Sequence, residues 1–351
     1  MAKRVRPVET VETDRVEGFP HPRETTRLIG HDDALARAAR AIRAGRSPQA
    51  WLITGPPGVG KATFAYRIAR YLFVFGATAD GPDDLSTPDD ARAAGLVAAG
   101  SHPGLLALKR GLNKEGKLMS VLGVDEIRRL GQFFGMTSEA GGWRVAIVDT
   151  ADDMNDSAAN ALLKLLEEPP PRAMLLLIAN APGRLLPTIR SRCQRLDLRP
   201  LAAEAVEGEL KRLVPDLEAQ ERTSIARLSG GSIGLALHLA SGEGVALAAQ
   251  AGELIERADN PDILALLAFA DRLGRITDGL DDFSTLLSQA LAERIRTRAE
   301  AGTPKLDRWV EAWERLNASF GRTLALHLDP RQTLLGAQRT LGMAAARAGR
   351  I

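Results

Sequence analysis

The chain has 351 residues, 45% of them hydrophobic and 26% charged, with a formal net charge of +2, the profile of a soluble globular protein of about two or three domains. That near-balance excludes a polycation coating nucleic acid over its whole surface, so any nucleic-acid contact is local. A lone cysteine, Cys193, excludes an intrachain disulfide and a cysteine-rich zinc site; with no signal-like N-terminus and no uncharged apolar run of about 18 residues, it points to a reducing, cytoplasmic setting without a membrane partner.

Residues 1–23 mix Arg, Glu, Val and Pro without periodicity and read as an N-terminal arm, on the surface or disordered. Leu28-Ile29-Gly30-His31 leads into an Ala-rich helical stretch from Asp32 to Ala44. The apolar run Trp51 to Thr54 then reads as a strand, Gly55 to Thr63 as a turn, and Lys61 to Phe75 as a helix. Gly76 to Gly104 is rich in Gly, Asp, Pro and Ala and reads as an insertion or irregular loop.

Further strands are expected at Leu105 to Leu108, Trp143 to Asp149, Met174 to Ala179 and Arg195 to Leu198. Between them, Val124, Ile127, Leu130 and Phe134 have helical spacing, and Leu185 to Arg190 is a short helix. Ala158 to Glu168 is built of strong helix formers, with Asn155, Asp156 or Ser157 placed to cap it and Pro169-Pro170-Pro171 to stop it. Strands that are apolar on both faces and alternate with helices predict a mostly parallel sheet covered on both sides.

From Pro200 the strand signal ends. Leu201 to Ala240 reads as a small helical unit, followed by helices near Val245 to Arg257, Asp262 to Leu273, Asp282 to Glu300, Pro304 to Leu326 and Pro330 to Ala348. The expected organisation is an arm (1–23), an α/β domain (24–199), a helical lid (200–242) and a helical collar (243–351). Trp309 and Trp313, four apart on one helix, read as core or subunit contact rather than a base-stacking platform.

Gly55-Pro56-Pro57-Gly58-Val59-Gly60-Lys61 has the form of a phosphate loop, in which glycines turn backbone N–H groups inward, the lysine adds a cation and the helix N-terminus adds its dipole. The next position, where a hydroxyl would ligate the nucleotide's magnesium, is Ala62. Thr63 is no substitute, because one helical step turns a side chain by about 100°. Asp149, ending an apolar strand, reads either as a Walker B acid or as a strand-end cap, and the residue after it is Thr150 instead of a water-ordering Glu.

These stretches, together with Asn160-Ala161-Leu162-Leu163-Lys164-Leu165-Leu166-Glu167-Glu168-Pro169-Pro170 and Ser191-Arg192-Cys193, resemble the AAA+ subunits of the bacterial replicative clamp loader. The motif-dense resemblance runs from residue 28 to about 240; the rest matches in size and character, including Asp329-Pro330-Arg331-Gln332 before the last helix. It implies an AAA+ parallel-sheet domain, a helical lid and a helical collar. Ile29, Gly30 and His31 would fall at adenine and Asn180 at the sensor of the terminal phosphate, beside the phosphate-loop residues Gly55, Gly58, Gly60 and Lys61 and the candidate Walker B acid Asp149. Arg192 would be an arginine finger acting in the ATP site of a neighbouring subunit.

The implied partners are the gamma/tau and delta subunits in a hetero-pentameric ring, the sliding clamp, and primed DNA within that complex. No resident cofactor is fixed; ATP or ADP is the nucleotide such a loop would hold. No zinc is expected, since the Gly76 to Gly104 segment lacks the four cysteines that relatives often carry there. Ala62, Thr150 and Gly234, the last standing where active members have a second sensor arginine, remove catalytic supports together, while Arg192 is kept. That is the pattern of a non-motor subunit without independent ATPase activity; the alternative is an active AAA+ ATPase, a gamma/tau-like motor or ring translocase. Lys164 and Arg294, Arg296 and Arg298 read first as solvated helix faces.

Overall fold

The computed structural model describes residues 15–16, 18–111, 119, 121–135, 142–241, 244–276, 279–326, 328–349 and 351. The chain divides into two compact units, one formed by Met1–Glu209 with Gly231–Gly234 and the other by Leu210–Gly230 with Leu235–Ile351. Most of the expected arm, and the expected boundary at 242, lie outside the described residues.

The first unit is built on β1 (Ala50–Thr54), β2 (Leu105–Leu108), β3 (Arg144–Asp149), β4 (Ala173–Ala179) and β5 (Gln194–Asp197). They form a parallel five-stranded sheet in the order β2-β3-β4-β1-β5. Successive side chains of a strand point to opposite faces, and the two cores follow that alternation. Trp51, Ile53, Val145, Ile147, Leu176 and Ile178 pack on one face with Ile42 of α1 (Asp32–Arg43) and Phe64, Ile68 and Leu72 of α2 (Lys61–Phe75).

Leu52, Ala146, Val148, Leu175 and Leu177 pack on the other face. Their helical partners include Leu130 of α4 (Val124–Gly135), Leu162 of α5 (Asp156–Glu167) and Ile189 of α6 (Pro187–Arg192). Of the three candidate caps for α5, Asn155 is the one used, its side chain accepting the Ala158 N–H at 2.9 Å. The expected short helix at Leu185 to Arg190 begins later, at Pro187, because proline suits a first helical turn.

Residues 76–104 are more ordered than their composition predicts. They contain α3 (Arg92–Ala98), and Leu85 and Val97 are fully buried in the core that holds α2. An anchor for this segment lies on α2, where Arg67, one turn from Arg70, reaches Asp84. Arg67 donates to Asp84 O (2.9 Å), Asp84 Oδ2 (3.1 Å) and Thr26 O (2.9 Å), and Arg70 donates to Arg23 O (2.9 Å) and Thr25 O (2.7 Å). Burial pulls the Arg70 guanidinium down to about 10, with the Arg67 charge acting in the same direction. The bonds to Asp84 therefore tie residues 76–104 to α2, and the other three hold Arg23, Thr25 and Thr26. His21 is completely buried too, so the described end of the arm is pinned instead of loose.

The second unit is helical. It includes α10 (Gly244–Glu256), α11 (Ile263–Leu273), α12 (Gly279–Glu300), α13 (Asp307–Leu326) and α14 (Pro330–Ala348), following the short helices α7 (Ala203–Leu213), α8 (Ala219–Leu228) and α9 (Ile233–Ala240). Trp309 is buried and donates to Gly349 O at 3.2 Å, while Trp313 donates to Ser288 O at 3.0 Å, so both indoles are used within the unit. Asp329 caps α14 through the Arg331 N–H (2.9 Å), with Pro330 in the first turn. Among the described residues, no helix is long and apolar enough to cross a membrane.

Candidate functional site

The register of the sheet fixes where the predicted residues fall. Thr54 is opposite Ala179, and Asp149 is opposite Ile178. Strands carry ligands at their carboxyl ends in such sheets, and that single edge gathers the loop after β1, Asp149 after β3 and Asn180 after β4. Neighbouring strands are about 4.8 Å apart, so Asp149 lies about 10 Å of sheet width away from the start of the loop.

The loop is closely packed by its own chain. Gly55 has φ +150°, and a Cβ there would lie 2.4 Å from Leu198 O. Gly58 has φ +72°, and its Cβ would lie 2.2 Å from Ser232 Oγ. Gly234 N–H donates to Gly58 O at 2.9 Å, and a Cβ on Gly234 would stand 3.0 Å from Gly58 Cα. Thus the segment 231–234 sits against the loop, and Gly234 has little space for any side chain. Gly60, with φ +104°, completes the turn into α2.

His31 has a left-handed backbone (φ 63°) and its Nε2 is 2.8 Å from Val59 O. Burial pulls its ring below the ordinary histidine range, with the Val59 hydrogen bond acting in the opposite direction. A neutral ring donating Nε2–H to the carbonyl fits both facts. Ile29 and Gly30 precede it; both are half-buried, and a Cβ on Gly30 would come within 2.7 Å of Leu201 Cδ2.

Lys61 is buried and its ammonium turns back onto the loop, donating to Gly55 O (2.8 Å) and Pro56 O (2.6 Å). Burial lowers it to about 8, and the charges of Asp149 and Asp152 work the other way. Asp152 was not foreseen from the sequence. Its carboxylate accepts the N–H groups of Asn180 (3.1 and 3.2 Å) and Ala181 (2.7 Å), tying the loop after β4 to the loop after β3. Asp153 accepts the Thr150 hydroxyl and pairs with Arg110 Nε at 3.3 Å.

These residues do not fit a hydrolysable magnesium–nucleotide complex. Ala62, in the first turn of α2, offers no side-chain oxygen and packs against the core, Thr150 supplies a hydroxyl already engaged with Asp153, and Lys61 donates to its own loop's carbonyls. No group of three or more His, Cys, Asp or Glu suited to a metal ion occurs among the described residues.

Arg192 is elsewhere. It ends α6 and lines a small cavity with Gln49 and Ala50 at the amino end of β1 and Ala173 at the amino end of β4. The phosphate loop follows the other end of β1, about 13 Å along the strand. Arg192 Nη2 donates to Glu167 Oε1 at 2.9 Å and Nη1 to Thr188 O at 3.2 Å. Next to it, burial pushes the Cys193 thiol up to about 12, which suits a packing residue and not a nucleophile.

A parallel sheet of this order, with a phosphate loop after its β1 strand and an acid after its β3 strand, followed by an all-helical part, is an α/β P-loop module of AAA+ type. Residues 30–202 match the family described as DNA polymerase III, delta subunit. The chain is similar to the DNA polymerase III subunit delta' of Pseudomonas aeruginosa, 39% identical over 184 residues that cover 52% of this chain and 53% of the relative. It is also similar to that of Escherichia coli K12, 36% identical over 203 residues covering 58% of each. The chain thus spans about half the length of the curated relatives it matches. Among solved structures it is similar to a DNA polymerase III gamma subunit-related protein from Thermotoga maritima, with TM-score 0.44 and 19% identity over 90% of this chain and 99% of that one.

Proposed function

We propose that the chain is the delta-prime-type subunit of a replicative clamp loader, a non-motor member that supports ATP-dependent loading of the sliding clamp onto primed DNA and donates Arg192 to the ATP site of a neighbouring subunit. The observation that carries this reading is the separation of Arg192 from its own phosphate loop, at opposite ends of β1. A guanidinium in that place is remote from its own chain's loop, and that loop is held by Lys61, His31 and Gly234.

In this reading the phosphate-loop glycines are a retained structural cradle. Ile29, Gly30, His31, Asp149 and Asn180 keep the architecture of a nucleotide site without its chemistry. The partners are gamma/tau and delta subunits in a hetero-pentameric ring. Co-expression with them tests this: the chain is expected to co-purify as one copy per ring, through gel filtration with stoichiometry measured by quantitative mass spectrometry. Failure to enter any complex with either subunit rejects the assignment.

A further inference from the structure

Arg192 is engaged within its own unit. Glu167, its partner, is the last residue of α5, where the helix already carries a partial negative charge from unpaired carbonyls. A carboxylate there is of the unfavourable sign for the helix dipole, and Glu168 beside it adds a second, so drawing a cation across α6 relieves both. Carboxylate and phosphate offer the same kind of paired oxygens to a guanidinium's fork of N–H donors.

We propose that Glu167 is a stand-in for phosphate: it holds Arg192 in cis while no neighbour is engaged and releases it to the neighbouring subunit's nucleotide. This rests on the finger reading given above. The side chains of Arg192 and Glu167 are 38% and 52% exposed, and pairs of that kind shift a population by only about two- to fivefold. A finger contributes about 10³–10⁵ in rate, so the cis contact is displaced when phosphate arrives and sets a threshold without blocking the reaction. Thr188 O keeps one donor of Arg192 occupied during the exchange and limits how far the side chain wanders. Glu167 is thus a positioning residue that acts through Arg192.

Glu167→Gln keeps the shape and removes the charge. In the isolated full chain, nitrogen-15 NMR of the Arg192 guanidinium is expected to show a salt-sensitive signal that changes in Glu167→Gln; identical spectra reject the cis contact whatever the finger does. In the reconstituted ring, Glu167→Gln is expected to lower the ATP concentration at half-maximal turnover about two- to fivefold with kcat unchanged, and to have no effect when combined with Arg192→Ala. An unchanged half-saturation point, a fall in kcat, or the same shift in the Arg192→Ala background overturns the proposal. If Arg192→Ala alone leaves turnover unchanged, the finger reading fails, while the NMR comparison still decides whether Glu167 holds Arg192.

Discussion

Replacing Arg192 with Ala is expected to reduce ATP turnover at the neighbouring site by about 10³-fold or more, within the 10³–10⁵ range for arginine fingers, equivalent to roughly 4–7 kcal/mol of transition-state stabilisation. The fold should scarcely register the change. Arg192 is partly exposed, its ion pair with Glu167 is a surface pair, and such pairs contribute about 0–1 kcal/mol to stability. The same ring should therefore assemble with the same stoichiometry and thermal stability while DNA- and clamp-stimulated turnover falls by the share of that site. An unchanged rate in an assembled ring removes the finger assignment and leaves a subunit with a structural part only.

The second large effect concerns the phosphate loop. Gly55→Ala is expected to destabilise the first unit by roughly 2–5 kcal/mol, from backbone strain combined with overpacking. The Cβ would be driven to 2.4 Å from Leu198 O, a backbone atom next to β5 that cannot rotate away. Leu198 N–H is hydrogen-bonded to Thr54 O at 2.8 Å, so moving Leu198 strips the edge strand from β1. For a unit of about 200 residues this corresponds to a fall in Tm of roughly 5–15 °C by calorimetry. If Gly55→Ala left Tm unchanged and abolished nucleotide binding instead, the loop would be a working ligand cradle and the structural reading of it would fail.

The elements that sequence reasoning located well are those whose signal is local. All five expected strands are present with ends displaced by at most a residue, and β1, β3 and β4 follow from continuous apolar runs because their central residues are buried on both faces. The start of α5 was narrowed to Asn155, Asp156 or Ser157 for the same local reason, and Asn155 is the cap used. The phosphate loop, Asp149 and Asn180 could be placed on one sheet edge once a parallel sheet was assumed.

What was not legible depends on partners distant in sequence. Nothing near Gly234 says that it will press on Gly58, or near Asp152 that it will hold the N–H groups of Asn180 and Ala181. Nothing near Arg67 and Arg70 says that the carbonyls of Arg23, Thr25, Thr26 and Asp84 will accept their guanidinium N–H groups, and the Asp84 contact ties residues 76–104 to α2. Arg192 was singled out by its Ser-Arg-Cys setting, yet its engagement with Glu167, 25 residues away, required the packing of α5 beside α6.

The central claim is that this chain lends chemistry to a neighbour and performs none at its own loop. ATP turnover by the purified chain alone tests it most directly. Turnover indistinguishable from a protein-free blank is expected, because Ala62 supplies no metal ligand, Thr150 no carboxylate and Lys61 is bound to the loop's own carbonyls. A sustained rate above about 1 s⁻¹, within the usual enzyme range, would contradict the account and favour an active AAA+ motor.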